Sequence, residues 1–534
     1  MHKRAMAVLA GVAMLSLGSC QKAANWRERT PPAQTFTLLA DSELQDVESA
    51  FKDDIRRATG LNLTFTYSGT LDAIDQIAAG ENFDALWVSN GKYLALNHAL
   101  SGRIIDQEKT MLSPVVLGLK PSKAHALGWD TKQPTWNDIA AAAKAGKFTF
   151  GMTNPASDDT GLSALLGLAA SLARTSDALT EADVKNPRLA DFFDCQSLTS
   201  GSAGWLAEAY QRDQSKVDGI IDYESVLLSL NAGGKLSEPL TLVYPAEGII
   251  TAEYPLMLLN AAKRTQYDKL VGYLRSADFQ TRMSARTLRR PVNPDAAEAP
   301  SIPKRTLIEL PFPGQASLIT TLLDNFVAAR PPSDSRYVLD LSGSMQGARI
   351  HQLKDAMLML ASNASLGSRR YVQFHSREEV GIITFSSQPA RTVLFLMGTT
   401  AAQNSEARTA ITRVVNRMAA EGDTAIYSSV QQALLELEQE RSRDKEKRYY
   451  TVVLMTDGQN NNGLSEAEFV DWYRRQGEGV RGIPVFAILF GEGNPAELQA
   501  LADLTGGRVF DARAGNASPS NGLIAVFKEI RGYQ

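Results

Sequence analysis

Three oxygen-bearing side chains at alternate positions could form a cation site in this chain. They are Asp340, Ser342 and Ser344, and Gly343 lets the backbone turn between the two serines. Residues 337–340 have the apolar character of a buried strand that ends on the carboxylate. Open α/β sheets bind ligands at the carboxyl ends of their strands, and hard cations prefer oxygen ligands. The motif therefore predicts a cation site, which further ligands elsewhere in the chain must complete.

Two later loops supply such ligands. Thr424 directly precedes a helical pattern, and Asp457 follows an apolar strand pattern. The hydroxyl groups of this set can coordinate Mg²⁺ directly, and its two carboxylates can hold coordinated water and balance charge. The five predicted metal ligands are Asp340, Ser342, Ser344, Thr424 and Asp457.

Strand and helix patterns alternate around these loops. The alternation predicts a doubly wound, Rossmann-like α/β domain over residues 331–534, and the double proline at 331–332 marks its boundary with the preceding linker. The predicted strands are 337–340, 380–385, 392–397, 449–455, 484–490 and 508–511, and the predicted helices are 348–362, 403–419, 425–441, 464–475, 495–503 and 519–530.

The order of the five ligands resembles that of the von Willebrand factor type A (VWA) domain. That family carries Asp-x-Ser-x-Ser, a distant Thr and a later Asp, and residues 453–458 resemble its strand and turn around the last Asp. The resemblance implies a metal-ion-dependent adhesion site for Mg²⁺, or for Mn²⁺ or Ca²⁺. It also implies an open coordination position that a partner protein fills with a carboxylate. The alternative is a degenerate site kept for folding, because Ser and Thr at these positions also cap helices.

The first half of the chain shows a βαβαβ order that predicts a mostly parallel sheet. Polar groups follow each of its first three predicted strands: Ser42, residues 68–70 and residues 89–90. Helix N-termini beside such groups favour anions. Each group taken singly is better explained as a helix cap, but three in succession at one edge of a sheet favour a site. The predicted strands are 35–40, 61–67, 84–88, 115–119, 148–152, 217–221 and 240–244, and the main predicted helices are 43–58, 71–79, 136–145, 162–173, 223–230, 263–274, 277–285 and 315–328.

Residues 34–330 resemble a type 2 periplasmic solute-binding protein of the molybdate/sulfate-like group. The matching stretches are 67–70, 83–85, 153–155, 222–225 and 254–255. The resemblance implies two α/β lobes, lobe I at about 34–118 and 241–330 and lobe II at about 119–240, with ligand held in the cleft. Carried over residue by residue, it implies a cleft lined by Ser42, Ser68, Asn154, Ser157, Thr160 and Tyr223.

The charge of these loops departs from that of an oxyanion receptor. No Arg or Lys lies in them, whereas Glu43, Asp158, Asp159 and Glu224 do. Local negative charge opposes the burial of an anion, so oxyanion specificity does not follow from the fold. A scaffold or a protein-binding surface is the alternative to a solute cleft.

The first twenty residues have the pattern of a targeting signal. Lys3 and Arg4 precede an apolar run at 5–17, which is too short to span a membrane, and small residues precede Cys20. This resembles the lipobox of bacterial lipoproteins, which implies cleavage before Cys20 and its acylation, for example with palmitate. An ordinary cleavage site is the alternative. Residues 21–33 then form a tether to the cell envelope, at the periplasmic face of a membrane, the outer membrane included, or at the cell surface.

Composition and motifs exclude several function classes. Lys and Arg number 55 against 59 Asp and Glu, so charge gives no reason to expect a nucleic-acid partner. The five His are dispersed without zinc spacing, and no phosphate loop or Ser-His-Asp arrangement is present, so no enzyme is expected. The sequence predicts a lipid-anchored envelope adaptor whose VWA domain binds a partner protein through a divalent cation. The alternative is an extracytoplasmic solute receptor of the ABC-transporter type, with the VWA domain as an accessory.

Overall fold

The computed structural model describes residues 34–533, except 98–99, 101, 174–177, 364–367, 491–494, 513–525 and 528. This part of the chain is mixed α/β, as predicted, and forms three β-sheets. The predicted lipidation residue Cys20 and the predicted tether 21–33 lie outside the described residues. Among the helices in these ranges, none is both long and apolar enough to cross a bilayer.

The chain up to residue 330 alternates strands with helices. Its strands are β1 (Gln34–Ala40), β2 (Leu61–Tyr67), β3 (Ala85–Trp87), β4 (Asp106–Lys109), β5 (Ser113–Leu119), β6 (Phe150–Thr153), β7 (Gln196–Ser200), β8 (Gly219–Tyr223), β9 (Thr241–Val243), β10 (Thr251–Ala252) and β11 (Pro255–Leu258). Its helices are α1 (Gln45–Thr59), α2 (Thr70–Ala78), α3 (Lys92–Ala95), α4 (Pro121–Leu127), α5 (Trp136–Lys144), α6 (Asp159–Ala173), α7 (Glu181–Val184), α8 (Ala203–Arg212), α9 (Glu224–Ala232), α10 (Arg264–Leu274), α11 (Ala277–Thr287) and α12 (Ala316–Ala329).

These strands form two sheets, which with their helices we call lobe I and lobe II. The lobe I sheet has the order β2-β1-β3-β11-β4, and β1 is parallel to both of its neighbours. The lobe II sheet has the order β10-β5-β8-β6-β7, with β9 paired to β5. The chain therefore changes sheet between β4 and β5 and returns between β10 and β11, earlier and later than the predicted limits near 118 and 240.

Helix α12 lies on lobe II, although the sequence placed residues 241–330 in lobe I. The Asn325 side-chain amide donates to the Val184 carbonyl at 2.7 Å. The rings of Phe326 and Phe193 meet edge to face with centroids 4.9 Å apart. An apolar helix face shows that a helix packs, but many apolar surfaces can receive it. The partner is therefore decided only in the folded chain.

The second half of the chain forms the third sheet, in the order β14-β13-β12-β15-β16-β17. Its strands are β12 (Ser333–Asp340), β13 (Glu379–Phe385), β14 (Val393–Leu396), β15 (Tyr449–Thr456), β16 (Val485–Leu489) and β17 (Val509–Asp511). Its helices are α13 (Ala348–Leu360), α14 (Ala401–Asn416), α15 (Ile426–Arg443), α16 (Glu466–Arg474), α17 (Glu478–Arg481) and α18 (Pro495–Thr505).

Strand β12 is central in this sheet and buried along its whole length. Tyr337 and Leu339 pack into the core on one face, and Val338 packs into the core on the other. This alternation is what a doubly covered parallel sheet requires. The strand begins at Ser333, four residues before the predicted start. Its polar residues Asp334 and Arg336 can be buried there because their side chains form an ion pair with each other. Such a pair is invisible to a search for apolar runs.

The C-terminal segment, residues 526–533 without 528, joins the third sheet to lobe II. Phe527 and Ile530 belong to the core beside β12. On the other side, the Thr199 hydroxyl donates to the Gly532 carbonyl at 2.8 Å. A Cβ on Gly532 would lie 2.3 Å from the Gly201 Cα, so glycine at 532 allows this close backbone approach. The two halves of the chain are therefore in direct contact.

Candidate functional site

Asp340 is held firmly at the end of β12. Its Oδ1 accepts a hydrogen bond from the Ser342 backbone N–H at 2.8 Å, and its Oδ2 accepts from the Thr456 hydroxyl at 2.5 Å. The side chain is fully buried, and burial raises the pKa of its carboxyl above the usual range. The carboxylate is thus oriented from two neighbouring parallel strands, β12 and β15.

The two serines connect Asp340 to the second carboxylate. The Ser342 and Ser344 hydroxyl oxygens lie 3.0 Å apart, and the Ser344 hydroxyl donates to Asp457 Oδ1 at 2.8 Å. Thr424 lies near the serines. A Cβ built on Gly458 would lie 3.6 Å from Thr424 Oγ1 and 3.7 Å from Ser344 Oγ, so both hydroxyl groups are close to the same point. All five predicted ligands therefore lie together at one edge of the third sheet.

Arg349 is a further residue of this site that the sequence analysis did not identify. It lies in the first turn of α13, and its Nη1 forms an ion pair with Asp457 Oδ2. The same nitrogen donates to the Ser344 carbonyl at 3.2 Å. The signal available in the sequence was a basic residue one helical turn beyond the serines. A positive charge on a buried carboxylate competes with any cation that uses that carboxylate.

The donor set fits a hard divalent cation. It offers two carboxylates and three hydroxyl groups, which are all oxygen donors of the kind that Mg²⁺ and Ca²⁺ take. Sulfur and imidazole ligands, which would favour zinc, are not part of it. Within the described ranges, no three His, Cys, Asp or Glu side chains gather into a conventional metal cluster. A cation here would therefore depend on the hydroxyl groups of Ser342, Ser344 and Thr424.

The second candidate site is a cavity of about 150 Å³ between lobe I and lobe II. Of the residues predicted to line the cleft, Ser42, Ser68 and Ser157 do line it. The lobes touch at its rim, since a Cβ on Gly69 would lie 3.0 Å from the Ser157 carbonyl oxygen. The two lobes are therefore in contact beside the cavity.

The other three predicted cleft residues are not among those that line the cavity. The side-chain oxygen of Asn154 accepts from the Ala156 N–H at 2.9 Å, which makes a turn. The hydroxyl oxygen of Thr160 lies 2.7 Å from that of Thr153. Tyr223 is buried against the ring of Tyr254, at a centroid distance of 6.1 Å. These side chains support the wall from behind.

Glu224, which the sequence placed among the acidic cleft loops, belongs to a buried ion pair instead. Arg290 donates to its two oxygens at 2.7 and 2.9 Å, and the Tyr244 hydroxyl donates to it as well. Its charge is therefore compensated away from the cavity.

Three acidic residues of the cavity, Asp41, Asp72 and Glu529, were not predicted. Asp41 directly precedes Ser42 after β1, so its position beside a predicted ligand was a usable signal. Glu529 comes from the C-terminal segment, and its Oε1 accepts from the Ser202 hydroxyl at 3.2 Å. No local sequence pattern connects residue 529 with this cleft, because the other residues that line it lie in the first half of the chain.

Comparisons with known families agree with this architecture. Residues 36–285 match the family model described as bacterial extracellular solute-binding protein, and residues 337–520 match that of the von Willebrand factor type A domain. The chain therefore combines a bacterial extracellular solute-binding domain with a VWA domain. Both families are typically binding or adhesion domains without enzymatic activity.

Solved structures resemble each half separately. A von Willebrand factor type A protein from Catenulispora acidiphila is 18% identical over 38% of this chain, with a TM-score of 0.30, and the match spans 42% of that protein. The periplasmic binding protein AfuA from Actinobacillus pleuropneumoniae, with fructose-6-phosphate bound, is 16% identical over 55% of this chain and 98% of its own, with a TM-score of 0.42. An extracellular solute-binding protein from Bordetella parapertussis is 13% identical over 55% of this chain and 98% of its own, with a TM-score of 0.41. No curated protein matches the chain.

Proposed function

We propose that the protein is an extracytoplasmic adaptor whose VWA domain captures a partner protein through a divalent cation. The observation that carries the proposal is the junction of five oxygen ligands, from Asp340 to Asp457, at one edge of the third sheet. Asp340, Ser342, Ser344, Thr424 and Asp457 would hold Mg²⁺, or Mn²⁺ or Ca²⁺ in its place. The cation supplies a Lewis-acidic position to which a partner carboxylate binds. The chain's own residues orient the ligands: the Ser342 backbone N–H and the Thr456 hydroxyl hold the Asp340 carboxylate, and Ser344 contacts Asp457.

Calorimetry with Mg²⁺ tests the cation site. Wild-type protein should bind one Mg²⁺, and Asp340→Asn should lose that binding, because one of the two charge-balancing carboxylates is removed. The matched control is Asp53→Asn, because Asp53 is an exposed residue on α1 whose carboxylate forms an ion pair with the exposed Arg56. Equal Mg²⁺ binding by wild type and Asp340→Asn would refute the site.

A pull-down from cell envelopes tests partner capture. The partner should be retained in Mg²⁺ and released by EDTA, and the double change Ser342→Ala/Ser344→Ala should abolish its retention. A set of bound proteins that responds to neither the chelator nor the double change would contradict cation-bridged adhesion.

A second function is supported by the cavity between the two lobes. A solute receptor needs a cleft that two lobes can close, and here Gly69 of lobe I touches Ser157 of lobe II around a cavity of about 150 Å³. In this proposal the first half receives a solute outside the cytoplasm for a transporter, and the VWA domain is an accessory. The match to an extracellular solute-binding family supports that location.

Acylation of Cys20 would anchor either kind of protein to a membrane of the cell envelope. Mass spectrometry of the membrane fraction should detect the acyl group on Cys20. In a fractionation experiment, Cys20→Ser should release the protein into the soluble fraction. Persistence of the variant in the membrane fraction would contradict a lipid anchor. We propose no enzymatic activity for either half.

A further inference from the structure

The cavity between the lobes has walls from both halves of the chain. Lobe I contributes the residues after β1 and β2, and lobe II contributes those around Asp159 and Gly201. The third wall is Glu529 of the C-terminal segment, whose backbone packs on Gly201; a Cβ there would lie 2.7 Å from the Glu529 Cα. A solute in this cavity would therefore touch both the lobes and the C-terminal segment.

The charge of the cavity has one sign. Among the described residues that line it there is no Lys, Arg or His, and six carry a carboxyl group. One of the six is already satisfied: Asp158 accepts from the Thr153 hydroxyl and from the Thr160 and Ala203 backbone N–H groups. The carboxyl-bearing lining residues are Asp41, Glu43, Asp72, Asp158, Asp159 and Glu529.

Two carboxylate oxygens at the cavity are buried without a hydrogen-bond partner in the described part of the chain. They are Asp41 Oδ1 and Glu43 Oε2, and Asp41 as a whole is only 3% exposed. The neighbouring guanidinium of Arg289 donates instead to the Glu43 backbone carbonyl and to Asp46. A carboxylate oxygen taken out of water needs a proton, a donor or a cation. These two oxygens point to a positively charged occupant.

The contact between the lobes also brings Asp159 close to Asp41. Asp159 of lobe II and Asp41 of lobe I share Thr70: its hydroxyl oxygen lies 2.5 Å from Asp159 Oδ2 and 3.4 Å from Asp41 Oδ2. These two carboxylate oxygens are therefore no more than about 6 Å apart. Burial raises the pKa of Asp159 to about 6, and burial with the nearby Asp159 charge raises that of Asp41 well above its usual range. A cation between them would favour this contact.

We propose that this cleft binds a small organic cation, a solute with an ammonium or guanidinium group held by Asp41, Glu43 and Asp159, with Glu529 as a wall supplied by the C-terminal segment. The cavity of about 150 Å³ has room for more than a bare ion. Serine residues and Tyr67 also line it, as suits the polar and apolar parts of such a solute. The inference rests on the second function proposed above, solute reception by the first half.

Calorimetry on the full-length protein at pH 7.5 tests the inference. The probes are 1,4-diaminobutane, agmatine and L-arginine, with 1,4-butanediol as the uncharged match and sulfate and molybdate as anions. We expect at least one organic cation to bind, and butanediol and the anions not to bind. Mn²⁺ and Zn²⁺, titrated into Asp340→Asn protein, show whether bare metal ions occupy the cleft.

Variants locate the bound probe. Asp41→Asn and Asp159→Asn should each weaken it at least about tenfold, and Glu529→Gln by a smaller factor. Asp53→Asn, outside the cleft, should leave the affinity unchanged. Without solute, Asp159→Asn should melt at the same temperature as wild type or higher, because a like charge is removed. A purely structural role for Asp159 would lower the melting temperature and leave the affinity unchanged.

The outcomes separate the inference from the receptor function. Binding of an anion or of a neutral solute, with no organic cation bound, overturns the inference and leaves solute reception standing. Occupation of the cleft by metal ions alone also overturns it, as does cation binding that both Asp variants leave unchanged. If none of these probes binds, the organic-cation inference is overturned.

Discussion

Replacement of Arg349 by Met should tighten Mg²⁺ binding at the proposed cation site. The guanidinium forms an ion pair with Asp457, whose side chain is fully buried, while the Arg349 side chain is one-third exposed. A hydrogen bond to a charged group contributes about 1.5–3 kcal/mol, and exposure of one partner reduces this to about 1–1.5 kcal/mol. A cation that uses Asp457 must displace or tolerate this charge. Removing it should therefore lower the dissociation constant for Mg²⁺ about 5- to 10-fold.

The same change should have the opposite effect on the cation-free protein. Asp457 would remain buried without its counter-charge, so the unfolding temperature without Mg²⁺ should fall by about 2–4 °C for each kcal/mol lost. Saturating Mg²⁺ should restore it, because the cation takes over the compensation of Asp457. The two effects together distinguish competition from a general loss of packing.

Calorimetry and thermal unfolding with and without Mg²⁺ measure both effects. Arg474→Met is the matched control, because Arg474 is exposed at the end of α16, away from the site. Unchanged or weaker Mg²⁺ binding in Arg349→Met would show that the guanidinium does not compete with the cation. A lower unfolding temperature that Mg²⁺ does not restore would point to a packing role alone.

Three further predictions concern buried contacts, two of which join the halves of the chain. Burial raises the pKa of Glu529 to about 8, so its contribution to stability is complete below the usual carboxyl range and is lost as pH rises through 8. Glu529→Gln should remove this pH dependence, which is up to about 1.4 kcal/mol per pH unit in the free energy of unfolding by urea. Parallel plots of that free energy against pH for the variant and the wild type would refute the prediction. Arg290→Met should destabilise by about 3 kcal/mol because Glu224 stays buried without its partner, whereas exposed Arg56→Met should change stability by less than about 0.5 kcal/mol; equal effects would contradict the buried pair. Trp205→Ala removes ring contacts with Phe510 and Tyr533 and should speed proteolysis between the halves, so an unchanged digestion rate would refute that contact as their support.

Much of the architecture was accessible from the sequence because its strands are short, apolar and followed by polar turns. β2, at Leu61–Tyr67, has the predicted limits, and β13 and β16 differ from prediction by only a residue or two at an end. The predictions fail where buried polar residues extend a strand, as Asp334 and Arg336 do in β12, because their mutual ion pair replaces the apolar signal. Helix α12 was assigned to the wrong lobe because an apolar helix face does not specify its partner.

The five oxygen residues from Asp340 to Asp457 were recognisable in the sequence because each follows a strand or precedes a helix of one sheet. Parallel strands place such loops at the same edge whatever the details of packing. Tertiary structure alone decided that Arg349 pairs with Asp457 and that Asp41 and Asp159 face each other across the contact between the lobes. It also decided that Glu529 of the C-terminal segment is a wall of the cleft. These contacts join residues distant in sequence, and the packing of whole sheets and helices sets their distances, which no local pattern encodes.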